Sequence, residues 1–112
     1  MIRFSIPMPP GLHAKPDRAT IVRAIQNALG GRYVAKQRYR THLCLIGLWD
    51  GHDGLPIERN TDNVAKVLLD AMAEAFRFGK RGRGDQWLDR HLTIEAVHST
   101  DVEMAEVTLY PV

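Results

Sequence analysis

Between residues 61 and 77 the apolar side chains Val64, Val67, Leu68, Ala71, Met72, Ala75 and Phe76 recur at i, i+3, i+4, i+7 and i+8, a spacing that only an α-helix gathers into one buried stripe. Such a stripe is about four turns long and needs a broad apolar surface to lie on. The flanking segments supply one, because they carry the two-residue period of β-strands. Ile2, Phe4 and Ile6 alternate with Arg3 and Ser5 before Pro7. Leu92, Ile94 and Ala96 alternate with Thr93 and Glu95, and Ala105, Val107 and Leu109 alternate with Glu106 and Thr108. The last two segments, parted by Ser99-Thr100-Asp101, are expected to form a terminal hairpin. Leu43 to Ile46 is a continuous apolar run within 40–49 and predicts a central strand covered on both faces.

A second helix is predicted from Asp17 to Leu29, with Ile21, Val22, Ile25, Ala28 and Leu29 on one face, Asp17 as its cap and Gly30-Gly31 as its stop. Asn60 or Thr61 is expected to cap the longer helix. The segments Pro7-Met8-Pro9-Pro10-Gly11 and 47–60 read as connections. The expected fold is α+β: one domain over residues 1–112, in β-α-β-α-β-β order, a mixed sheet with the helices packed on it. A chain of 112 residues with 45% hydrophobic content fills one core and scarcely two.

Composition narrows the functional classes. No apolar stretch approaches the roughly 18–20 residues of a membrane span, and Arg3 with three early prolines spoils a signal peptide, so a cytoplasmic protein with no membrane partner is expected. Cys44 stands alone and reads as a buried small hydrophobe. The five histidines, His13, His42, His52, His91 and His98, show no HxxxH spacing, and one cysteine allows no CxxC, so zinc is not expected. Trp49 and Trp87 suit packing at strand ends or stacking on unpaired bases.

Net charge is only +2, but it is unevenly spread. Arg32, Lys36, Arg38 and Arg40 form one basic segment; Arg77, Lys80, Arg81 and Arg83, interleaved with Gly79, Gly82 and Gly84, form another. Either could follow a phosphate backbone or remain a solvated loop. On the polar side of the longer helix, Asp62, Lys66 and Asp70 are spaced four apart. That ladder is either surface pairing or, because Asp62 opens the helix after a glycine-rich connection, the start of a metal site.

Three pieces, in order along nearly the whole chain, resemble the RusA family of Holliday-junction resolvases. They are the first strand running into Pro7-Met8-Pro9-Pro10, the segment Asn60-Thr61-Asp62-Asn63-Val64-Ala65-Lys66 with Leu69-Asp70-Ala71-Met72, and Trp87-Leu88-Asp89. The central segment looks like the family's Asp-x-Asp-Asn-x-x-Lys motif. The resemblance implies a Mg²⁺-dependent crossover junction endodeoxyribonuclease, with Mn²⁺ able to substitute, acting as a homodimer on four-way junctions in recombination and repair. It assigns Asp62 and Asp89 to the metal, with Asn60 as a neutral third ligand, and Lys66 to the scissile phosphate. Asn63 and Asp70 would act as supports. Arg32, Lys36, Arg38, Arg40, Lys80, Arg81 and Arg83 would grip the DNA. Two positions depart from the pattern: Asn60 stands where the family has its first aspartate, and Arg90 where a second aspartate would follow Asp89. Asp50, Asp53, Glu58 and Asp85 are the nearby carboxylates that could compensate. Two other readings remain: a relative that binds branched DNA without cutting it, and a partner-binding α+β module.

Overall fold

The computed structural model describes residues 1–7, 18–47, 58–79, 85–99 and 101–112, without the side chains of residues 58–63, 85 and 98. The elements are β1 (Ile2–Pro7), α1 (Arg18–Leu29), β2 (Tyr39–Gly47), α2 (Glu58–Ala75), a 3-10 turn (Asp85–Trp87), β3 (His91–His98) and β4 (Met104–Pro111). This is the expected order of a small α+β domain. The sheet runs β1-β4-β2-β3. β2 and β3 are parallel, whereas β4 is antiparallel to both β1 and β2.

That order decides where the helices lie. Both crossovers, β1 to β2 through α1 and β2 to β3 through α2, step along the sheet in the same direction, so right-handed connections put both helices on one face. The core is built accordingly: Phe4, Ile6, Leu43, Leu45, Ala105, Val107 and Leu109 from the sheet meet Ile21, Ile25, Leu68 and Met72 from the helices. Arg18 Nε donates to Glu74 Oε2 at 2.8 Å, joining the start of α1 to the last turn of α2.

Two expectations about the sheet are corrected. β3 and β4 form no hairpin, because β4 passes β2 and inserts between it and β1. The alternation identifies strands but not neighbours, and Ala105, Val107 and Leu109, all fully buried, suit an inner position better than the half-buried Leu92, Ile94 and Ala96. Ser99 Oγ accepts from the amides of Asp101 and Val102 and starts the connection that steps over β2. β2 is an inner strand, but it is covered on one face only. Tyr39, Thr41, Leu43 and Leu45 are buried, while Arg40 is exposed and His42, Cys44 and Ile46 are half-exposed.

Cys44 is therefore half-buried rather than a core residue. Burial raises its thiol pKa, and the carboxylates of its register neighbours Glu95 and Glu106 raise it further. The folded chain thus resists forming this thiolate. Its contribution opposes folding only as pH climbs past the ordinary thiol range, where the unfolded chain ionises first.

The helix ends are set by chain chemistry. α1 stops at Gly30 and Gly31, both left-handed with φ of 58° and 84°, and the Gly30 amide donates back to the Gln26 and Asn27 carbonyls. α2 starts at Glu58, ahead of the expected cap at Asn60 or Thr61, because Glu58 and Arg59 are themselves helix formers. The expected Asp17 cap and the segments 8–11 and 48–57 lie outside the described residues. Among the described residues no helix is long and apolar enough to cross a membrane.

Candidate nucleic-acid interface

The end of α2 brings Arg77 to the same groove as Arg32 and Lys36. Phe76 still donates to the Met72 carbonyl at 2.8 Å, but Arg77 turns left-handed with φ 63°, and the Phe78 amide reaches back to the Ala73 carbonyl at 2.8 Å. This six-to-one closure ends the helix and points Phe78 into the core, where its ring stacks on Tyr39 with centroids 6.4 Å apart. Phe76 meets Phe4 edge-on at 6.1 Å. Tyr39 in turn donates its hydroxyl to the Ala35 carbonyl at 2.7 Å and holds the segment that carries Lys36. Aromatic packing thus holds Lys36 and Arg77 at one corner of the fold.

Between them lies an open groove of about 780 Å³, lined among others by Arg32, Tyr33, Lys36, Phe76 and Arg77. Tyr33 is 85% exposed, which is unusual for a large ring with no partner to cover it. A cationic groove with an aromatic on its rim can track a phosphate backbone and stack a base. Lys36 reaches onward, its Nζ 5.8 Å from the centre of the Trp87 ring. Beyond it a small cleft is lined by Arg38, Gln86, Trp87 and Arg90.

The structure separates the predicted contacts into groups. Arg32, Lys36 and Arg77 share the groove, and Arg38 borders the cleft. Arg32 is partly committed to the fold: its Nε donates to the Leu29 carbonyl at 2.9 Å, and its Nη2 donates to the carbonyls of Arg3 and Ala28. Arg40 stands apart on the face of β2 turned away from the helices, with His91 and Tyr110 as register neighbours. Lys80, Arg81 and Arg83 lie outside the described residues.

The acidic candidates are distributed as follows. Asn60, Asp62 and Asn63 belong to the first turns of α2, but their side chains lie outside the described residues, as does that of Asp85. Lys66 is exposed and Asp70 half-buried on the same helix. No ion pair joins them, so the simple surface ladder is not formed at this step among the described residues. Asp89 is exposed just after the 3-10 turn, which packs against α2. Among the described residues no group of three metal-ligating side chains is gathered. Asp50, Asp53 and Glu58 fall outside what is described of side chains.

Sequence reasoning missed Tyr33 and Arg90 as members of this surface. Tyr33 follows Gly30-Gly31-Arg32, and an aromatic there reads equally as core; only the absence of a covering element distinguishes the two.

Arg77 combines a cost and a use. A non-glycine residue in the left-handed region is strained by about 1 kcal/mol, and glycine relieves it. Arg77→Gly should raise the midpoint of thermal unfolding by about 4 °C. A fall in the midpoint would show that Arg77 side-chain packing outweighs the strain. The chain matches no protein-family model and no curated protein.

Proposed function

We propose that the protein is a Mg²⁺-dependent endonuclease that cuts branched DNA, a cytoplasmic homodimer of the RusA type. The observation that carries this reading is that one helix serves both needs. α2 opens with Asn60-Thr61-Asp62-Asn63 and Lys66, spaced as in the family motif, and its far end borders the cationic groove.

In this reading Asp62 and Asp89 hold the metal, and Asn60 adds a neutral oxygen. A divalent ion held there would supply Lewis-acid polarisation of the phosphodiester and an activated water, and Lys66 would offset the charge that grows in the transition state. Asp70 and Asn63 orient these groups. The groove holds a duplex arm through its phosphates, so junction shape rather than base sequence is read. A four-way junction needs two matched nicks, and a twofold dimer presents two equal sites.

A second reading, binding without cutting, draws on Asn60 and Arg90. Each replaces a carboxylate of the family pattern, and each exchange weakens the hold on a hard divalent cation. Binding and cutting are tested separately. Arg77→Gly should weaken junction binding severalfold and reduce the slope of log affinity against log salt by about 0.9, one phosphate's worth. An unchanged affinity and slope would remove the groove from the interface. Cleavage of a labelled junction in Mg²⁺ then distinguishes the nuclease from the binder.

A further inference from the structure

We propose that the cleft between Arg38, Trp87 and Arg90 is a subsite for one unpaired nucleotide, its phosphate between the two guanidinium groups and its base on the Trp87 indole. This rests on the nucleic-acid reading above and adds to it a preference for strands that are unpaired near the branch.

Three observations converge on it. The cleft is open to solvent and holds about 100 Å³, room for a phosphate group. Its wall carries two arginines, and among the described residues neither is paired with a carboxylate. Like charges lining so small a space repel each other until an anion lies between them, and planar guanidinium groups suit phosphate oxygens. The third observation is the half-buried indole beside them, with Gln86 as a further hydrogen-bonding side chain.

Lys36 adds a way to admit the base. Its ammonium lies over the Trp87 ring at 5.8 Å. At an exposed site this contact is weaker than stacking of a nucleobase on an indole. An incoming base therefore displaces the ammonium, which is then free for the next phosphate along the strand. Lys36 also lines the larger groove, so its side chain links the groove to the Trp87 side of the cleft. Paired arms present phosphates but no free base faces. Only an unpaired nucleotide uses both halves of the cleft.

The test uses the full chain with Trp49→Phe, so that Trp87 is the sole indole reporter. It is titrated with an unpaired oligothymidylate, a blunt duplex of equal length, a four-way junction and inorganic phosphate. The proposal expects the single strand to quench Trp87 emission and the duplex to leave it unchanged. Trp87→Leu should weaken single-strand binding about tenfold while duplex binding stays within about twofold, and Arg38→Gln with Arg90→Gln should weaken single-strand binding at least as much. Trp87→Phe should keep most of the affinity, which guards against mere misfolding. If the junction binds but Trp87 emission is indifferent and Trp87→Leu binds single strands as the parent does, the subsite is wrong and the junction reading survives. If inorganic phosphate alone reproduces the quench, the cleft is an anion site and the nucleotide assignment falls. If no nucleic acid binds, both readings fall together.

Discussion

Asp62→Asn should slow cleavage of a four-way junction in Mg²⁺ by at least about 100-fold while leaving junction affinity within about twofold. The asymmetry follows from what the side chain is asked to do. Asparagine keeps the size and one oxygen of aspartate but carries no negative charge, so a site that already has Asn60 in place of a carboxylate loses most of its remaining pull on a divalent ion. In the proposed interface, phosphate contacts would depend instead on Lys36, Arg32 and Arg77, which line the groove and which the substitution does not touch. A variant that cuts as fast as the parent removes Asp62 from the reaction. One that also loses binding shows that its effect is on folding or on the DNA surface.

Leu43→Ala should destabilise the fold by about 3 kcal/mol, a fall of roughly 12 °C in the unfolding midpoint. Leu43 is fully buried on the inner strand β2, with Val107 of β4 and Ile94 of β3 as its register partners. Truncation leaves a cavity in the core between sheet and helices that neither neighbouring strand can close without breaking its ladder. Ile46, one position from Leu45 on the other face, is half-exposed. Ile46→Ala should therefore cost much less, and comparable losses at the two positions would mean that the outer face of the sheet is also a packed interior.

Much of this fold is legible along the chain, because its signals are local. The stripe from Val64 to Phe76 and the alternation from Ile2 to Ile6 each fix an element and its buried face by period alone. Strand adjacency is not local. Nothing in Ser99-Thr100-Asp101 says whether β4 turns back beside β3 or steps past β2, and the burial of Ala105, Val107 and Leu109 decides it. The one-sided cover of β2 is likewise a property of crossover handedness, which no residue of the Leu43–Ile46 run encodes.

The site is legible in a different way. Asp62, Lys66 and Asp70 announce themselves by helical spacing, but spacing alone equally suits a surface ladder. Convergence of Lys36 with Arg77 is invisible in a chain that separates them by α2, and it depends on Phe78 stacking on Tyr39. Arg90 looks like a loss when it is compared with an acidic pattern; beside Arg38 and Trp87 it is part of a cleft.

In the proposed mechanism, acidic groups from the start of α2 and from the turn before β3 share one divalent ion. Manganese titration followed by electron paramagnetic resonance tests it directly on the parent, on Asp62→Asn and on Asp89→Asn. One bound ion per chain is expected in the parent and none in either single variant, with metal-free thermal unfolding unchanged. Retention of that ion by Asp89→Asn, or its absence from the folded parent in the presence of junction DNA, would contradict it.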